Sequence, residues 1–211
     1  MLFVHKICKS FNRIRVIESL SFSQSNNEFI ALMGNNGSGK TTTLRILARA
    51  MRPDSGSIIF QDKDLLSHKS MYRSGILYLG HEPGMYSHFT SRENLSFALS
   101  LRGLKIAQKK IDTSLDSFDL LASANKPISI FSKGMLQRLK LVFADLAPWD
   151  LLLFDEPFSG LDSNGIEIIE RQLNNWKKNN KSIIMVLHDE SIAQKYADRK
   201  LIISSGKIVQ S

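Results

Sequence analysis

Three features of the sequence predict an α/β fold with a mostly parallel core sheet. Short continuous apolar runs at 29–33, 151–154 and 183–187 have the length of strands buried on both faces. Stretches with helical apolar spacing alternate with them, as strand–helix–strand units require. A glycine-rich turn separates the first run from a helix.

Taken in order, the first 33 residues read as short strands. Ile14, Val16 and Ile17 form one apolar patch, and Leu20 and Phe22 alternate with serines. Residues 42–51 read as a helix, with Leu44, Leu47 and Ala48 at helical spacing. Arg52-Pro53-Asp54-Ser55-Gly56 supplies the turn chemistry that closes it. Strands are expected at 57–60 and 75–79. From Arg92 to Ala147 strand signals vanish, and Ile111, Leu115, Phe118 and Leu121 recur at spacings of 4, 3 and 3, which predicts a mainly helical insert. The strand at 151–154 returns the chain to the sheet. Ile166, Ile169, Leu173 and Trp176 then mark an amphipathic helix, 183–187 a second buried strand, and 201–203 with 207–209 a terminal hairpin.

The chain has 211 residues, 43% apolar and 23% charged. That suits one α/β domain with a sizeable core and excludes a disordered chain, a collagen and a coiled coil. The densest apolar stretch, Leu151-Leu152-Leu153-Phe154, is four residues long, and no apolar run approaches the length of a membrane span. The N-terminus MLFVHKICKS fits no secretory signal, so the chain is expected to stay on the cytosolic side. The single cysteine, Cys8, excludes an internal disulfide and is expected to be a small buried hydrophobe. Lys and Arg number 28 against 20 Asp and Glu, a net charge of +8 that suits polyanionic partners. The basic residues are scattered, which fits a solvated basic surface equally well.

Gly34-Asn35-Asn36-Gly37-Ser38-Gly39-Lys40-Thr41 fits the phosphate-loop pattern G-x-x-x-x-G-K-[ST] in full, between a buried strand and a helix. Glycines let the backbone wrap close to an anion, and successive N–H groups and the helix N-terminus face the phosphates. Lys40 is placed to reach the β- and γ-phosphates and the Thr41 hydroxyl to ligate Mg²⁺. At the end of the strand 151–154, Asp155 is delivered toward the metal, and Glu156 is poised to polarise a water attacking the γ-phosphate.

The residues between these motifs go further. Phe131-Ser132-Lys133-Gly134-Met135-Leu136-Gln137-Arg138 resembles the signature motif of ABC ATPases. Pro157 and Ser159-Gly160-Leu161-Asp162 look like that family's D-loop, and His188 like its switch histidine. Phe11, 29 residues before Lys40, stands where the family stacks an aromatic on adenine, with Val16 beside it. The resemblance covers essentially the whole chain in the right order. It implies a single ABC cassette over 1–211: a nucleotide-binding core with an antiparallel β subdomain at about 1–84 and 148–211, and a helical signature subdomain at about 85–147. It implies ATP and Mg²⁺ as cofactors, with Thr42 completing the nucleotide-binding run and Asp155 reaching the metal partly through water. Two cassettes would face head to tail, Ser132, Lys133, Gly134 and Met135 of one meeting the ATP held by the other. His188 would hold the γ-phosphate. The partners implied are a second copy of the chain and multi-span membrane permease subunits at the cytoplasmic face of the cell membrane, not nucleic acid. Met85, Tyr86 and Phe89 are the expected docking contacts.

Two residues depart from the family pattern. His81 stands where a glutamine is usual, and an imidazole is a poorer Mg²⁺ ligand than an amide oxygen. Lys133 and Met135 replace glycine and glutamine of the signature. Leu79-Gly80-His81-Glu82-Pro83-Gly84, followed by Thr90 and Glu93-Asn94-Leu95, resembles the haem-exporter ATPases of cytochrome c maturation. The alternatives are an ABC exporter of unrelated cargo, a soluble ABC ATPase acting on ribosomes or DNA, and a regulatory nucleotide-binding module without turnover.

Overall fold

The computed structural model describes residues 1–67, 75–82 and 84–210. Pro83, within the motif at 79–84, lies outside the described residues. By internal contacts the chain divides into two units. The first comprises Met1–Gly80, Asp150–Glu156 and Trp176–Ser211, and the second His81–Trp149 and Pro157–Asn175. The second unit thus takes in Pro157–Asn175 as well as the insert expected at 85–147.

The first unit holds two sheets. In the smaller, β1 (Leu2–Phe11) lies between β2 (Ile14–Gln24) and β4 (Ser55–Phe60), with the short β5 (Lys63–Asp64) at the edge, all antiparallel. The larger is built from β3 (Phe29–Met33), β6 (Ile76–Leu79), β7 (Leu151–Asp155), β8 (Ser182–Val186), β9 (Arg199–Ser204) and β10 (Lys207–Gln210), in the order β10-β9-β3-β8-β7-β6. Only β10 runs antiparallel. Every residue of β3 and β7 is buried, which is why these strands read as unbroken apolar runs. Leu32, Leu153, Ile184 and Val186 of the large sheet share one core with Leu44 and Leu47 of α1 (Lys40–Leu47) and with Leu2, Val4 and Ile17 of the small sheet.

The second unit is helical. It contains α2 (Ser91–Leu101), α3 (Gln108–Ser117), α4 (Lys133–Leu146) and most of α5 (Ser163–Lys178). A capping box starts α2: the Thr90 hydroxyl accepts from the Glu93 N–H, and the Glu93 carboxylate accepts from the Thr90 N–H. Asp145 of α4 accepts from Ser114 of α3 at 2.8 Å.

The parallel core sheet, the antiparallel β subdomain, the helical insert and the terminal hairpin are all present. Several local readings differ. β1 and β2 are 10 and 11 residues long, not short, because three register shifts let one pair of strands twist without breaking. Helix α1 stops at Leu47, since Arg49 turns left-handed at φ 57 and closes the helix end. Ile166 is 38% exposed, and Ile168 takes its place on the buried face of α5. Cys8 is half-buried rather than a core hydrophobe, and its sulfur accepts the Ser19 N–H at 3.3 Å. A further helix, α6 (Glu190–Tyr196), starts on Asp189, whose carboxylate accepts the Ser191 and Ile192 N–H groups. Its seven residues are too few for a periodic signal.

Leu153→Ala empties a fully buried site and is expected to lower stability by about 2–5 kcal/mol. Val209→Ala, on an exposed side chain, should stay within about 0.5 kcal/mol of the parent in the same urea titration.

Candidate functional site

In the first unit the chain turns at once after β3. Gly34 has φ 138, and a Cβ there would lie 2.1 Å from the main-chain oxygen of Ile203 in β9. No side chain fits that approach. The loop reaches α1 through Gly39, the N-cap, whose φ of 107 also suits only glycine and which provides no side-chain cap. The first N–H groups of α1 therefore face outward, an arrangement suited to an anion. Ser38 Oγ is buried with no hydrogen-bond partner among the described residues, a cost that a polar ligand relieves. Asn35 and Asn36 are exposed and Thr42 is half-buried.

Lys40 is only 6% exposed, and its ammonium donates to the main-chain oxygens of Gly34 at 2.7 Å and Asn35 at 2.9 Å. Burial lowers its pKa, while the carboxylates of Glu156 and Asp155 pull the other way. These acids arrive by sheet register. Val186 of β8 pairs with Asp155 of β7 and with Leu32 of β3, so three strands end level. Ligand sites in open α/β sheets form at such carboxyl ends. Asp155 is 1% exposed and accepts from the Thr41 hydroxyl at 3.3 Å. Glu156 has φ 53, a left-handed backbone that costs a non-glycine residue roughly 1–3 kcal/mol and clusters at functional sites. His188 Nε2 lies 3.0 Å from Glu156 Oε1.

Phe11 ends β1 at the tip of the hairpin, 41% exposed. Val16 packs on the phosphate loop, its main-chain oxygen 3.0 Å from where a Gly39 Cβ would stand.

The second unit carries the remaining motif residues. Ser132 is the N-cap of α4 and accepts the Met135 N–H at 3.2 Å. A Cβ on Gly134 would lie 3.1 Å from the main-chain oxygen of Gly160. Gln137 donates to the main-chain oxygen of Pro157 at 2.8 Å. The Asp162 carboxylate accepts the Gly165 N–H at 2.8 Å. Signature and D-loop motifs, read from separate stretches of sequence, are thus packed together. Ser159 is exposed, as are Lys133 and the His81 side chain; Leu161 is half-buried. The main-chain oxygen of His81 accepts from the buried Lys140 ammonium at 2.7 Å.

The ABC transporter family model matches residues 17–159. The chain belongs to the ABC transporter family. It is an ATP-binding subunit of an ABC transporter and an ABC-type ATPase. It is 38% identical to the uncharacterized ABC transporter ATP-binding protein YxlF of Bacillus subtilis (strain 168), over 99% of this chain and 69% of that protein. It is 31% identical to the ABC-type transporter ATP-binding protein EcsA of the same organism, over 99% of this chain and 85% of that one. Sulfate/thiosulfate import ATP-binding protein CysA 1 of Agrobacterium fabrum (strain C58 / ATCC 33970) is 30% identical, over 98% of this chain and 62% of its own length. A solved ATP-binding subunit of an ABC transporter superposes with a TM-score of 0.89 at 30% identity, covering 99% of this chain and 88% of that one. The cassette MJ0796, solved as a dimer in a post-hydrolysis state with ADP and Pi, shares the fold with a TM-score of 0.91 at 22% identity, over 100% of this chain and 97% of that one.

Tyr78 and Phe97 had no sequence signal, and Asn94 was marked only as part of the motif at 93–95. Tyr78 on β6 is half-buried beside Arg45 and Asp155; burial, the largest influence, raises its pKa. Asn94 is buried and holds the loop at 86–90, accepting the Tyr86 N–H and donating to the main-chain oxygens of Tyr86, Phe89 and Thr90. The apolar surface there includes Phe97 as well as Tyr86 and Phe89, with ring centroids 5.1 Å apart for Tyr86–Phe89 and Tyr86–Phe97. Met85 is half-buried.

Gly34→Ala should unfold the cassette or cost more than about 3 kcal/mol, since main chain cannot yield to the new Cβ. Gly37→Ala, with φ 78 but nothing within 4 Å of the new atom, should cost only about 1–2 kcal/mol. Urea unfolding without nucleotide separates the two.

Proposed function

We propose that the chain powers a membrane transporter from the cytoplasmic face, hydrolysing ATP between two copies of itself. The observation that carries this reading is the 3.0 Å contact between His188 and Glu156, beside Lys40 and Asp155 at the end of one sheet. Glu156 accepts a proton from the attacking water as its oxygen bonds to the γ-phosphorus and the bond to the β-phosphate oxygen breaks, releasing ADP. His188 orients Glu156 and the γ-phosphate. Lys40, freed from its two carbonyls, holds the β- and γ-phosphates. Ser38 and the loop N–H groups bind the same oxygens. Phe11 stacks on the adenine, with Val16 beside it.

The oxygen donors Thr41 and Asp155, 3.3 Å apart, fit Mg²⁺, which is bound through few protein ligands together with phosphates. Among the described residues no group of three His, Cys, Asp or Glu side chains stands ready to hold a metal, so the ion would arrive with the nucleotide. When bound it neutralises phosphate charge.

Ser132 and Gly134 of the partner copy, at the positive end of α4, complete the γ-phosphate site, and the D-loop at 159–162 packs beside them. Among the described residues no helix is long and apolar enough to cross a membrane. In the proposed transporter, permease subunits supply the span. The aromatic surface of Tyr86, Phe89 and Phe97, each more than one-third exposed, is the docking site for them.

A haem-exporter assignment has one residue pair in its favour. Thr90, Glu93, Asn94 and Leu95 cap a helix, hold a loop and fill a core, as any cassette needs. What remains is His81 with Glu82. Affinity purification from the native membrane decides: recovery of cytochrome c maturation subunits supports haem export, an unrelated permease removes it, and no membrane protein at all removes the transporter reading.

Glu156→Gln should bind ATP but lose turnover by more than about 100-fold, and elute as a dimer with ATP. A monomer in excess ATP would contradict the sandwich. Tyr86→Ala with Phe97→Ala should abolish co-purification of membrane subunits while ATP hydrolysis in solution persists. The lowered Lys40 pKa also sets a sign. Phosphate favours the charged amine, so ATP affinity should fall as pH rises through the lowered value, below the ordinary 10.5. ATP titrations from about pH 7 to 10 test this.

A further inference from the structure

Phe11 sits on a part of β1 that the sheet does not hold well. Pairing with β4 stops at Cys8 opposite Ser55, and the register with β2 shifts between Lys9 and Ser10. Beyond Phe11 the chain reverses through Asn12 and Arg13, both left-handed at φ 48 and 67. An exposed aromatic on such a tip has rotamer freedom to lose when a base stacks on it.

Asp54, the residue before β4, takes over where the ladder ends. Its N–H donates to the Cys8 oxygen at 2.8 Å. One carboxylate oxygen accepts the Ser10 N–H at 2.7 Å, and the other accepts the Lys9 ammonium at 2.9 Å. The same ammonium lies 5.6 Å from the centroid of the Phe11 ring, within cation–π range. The Lys9 hydrogen bond, then that of Ser10, holds the Asp54 carboxyl below the usual range, which agrees with a persistent clasp. Lys9 lies over one face of a ring that is 41% exposed.

We propose that Asp54 and Lys9 are positioning residues that fix the Phe11 ring as the nucleobase platform. The proposal rests on the reading of Phe11 as the adenine stack. A platform ordered before ATP arrives costs less entropy on binding, so the clasp acts on affinity for the base and not for the phosphates.

The test measures dissociation constants for ATP and for inorganic tripolyphosphate, which has no base. The proteins are the parent chain, Phe11→Ala, Asp54→Ala, Asp54→Glu, Lys9→Met and the Phe11→Ala/Asp54→Ala pair, each with a thermal melt. Phe11→Ala should weaken ATP about 10-fold, the scale of one base–aromatic stack, and leave tripolyphosphate unchanged. Asp54→Ala and Lys9→Met should each weaken ATP about 3-fold with tripolyphosphate unchanged, within what fixing one side chain is worth. Asp54→Glu should recover part of the loss. In the Phe11→Ala background, Asp54→Ala should add nothing. If Phe11→Ala leaves ATP binding intact, the stacking reading fails and the proposal with it. If Phe11→Ala weakens ATP but Asp54→Ala does not, stacking stands and the clasp is overturned. Equal loss for both ligands, or a loss that persists without Phe11, means a general structural role and also overturns it.

Discussion

A lysine ammonium buried at the end of a parallel sheet is the constraint on which the rest of the nucleotide site depends. Removing a charge from water is costly, and the two main-chain oxygens of Gly34 and Asn35 offset only part of that cost, as the lowered Lys40 pKa records. Asp155 and Glu156 help from a distance. On the proposed reading, an incoming triphosphate would offer Lys40 full negative charge, give the Ser38 hydroxyl a partner and occupy the N–H groups that Gly39 leaves uncapped. Affinity for phosphate would then be relief of under-satisfied buried groups as much as attraction.

The sheet was legible because its strands are buried on both faces, and such strands cannot hide their composition. Phe29-Ile30-Ala31-Leu32-Met33 and Leu151-Leu152-Leu153-Phe154 have no polar residue to spend on solvent. The phosphate loop was legible for a related reason: Gly34 has no alternative where a Cβ would meet Ile203. The contacts that the sequence does not announce act at long range. Tyr78 lies beside Asp155 across 77 positions, and Asp54, legible only as turn chemistry, reaches Lys9 across 45. The chemistry of these residues is ordinary, so nothing marks the pairing until the fold brings the partners together. Cys8 is half-buried despite its apolar neighbours, because the ladder shifts register on both sides of it, between Ile7 and Lys9 against β2 and between His5 and Cys8 against β4.

The helical unit shows how departures from a family pattern are absorbed. Lys133 replaces a signature glycine, yet a Cβ at Gly160 would stand 3.0 Å from the Lys133 Cβ, so the change is accommodated by a neighbouring glycine at φ 72. Gly134 is retained where a Cβ would come within 3.1 Å of the Gly160 oxygen. Gln137 then ties α4 to Pro157. These contacts lie within one unit, so signature loop and D-loop are packed against each other. On the proposed reading a partner copy would meet a preassembled surface.

The geometry of the proposed catalytic pair in the first unit is inherited from register. Asp155 pairs with Val186, Glu156 follows at once, and His188 comes two residues beyond Val186. A one-residue slip of β8 against β7 would reverse every side chain of β8, placing Ile183 and Met185 on the face now held by Ile184 and Val186. His188 would then leave Glu156. The slip is prevented by packing on both faces, since Ile183, Ile184, Met185 and Val186 are all fully buried. The Glu156 backbone at φ 53 adds a second condition, because a strained carboxylate keeps its place only while its surroundings hold it there. The residues that keep Glu156 and His188 aligned are therefore the buried apolar ones of β8.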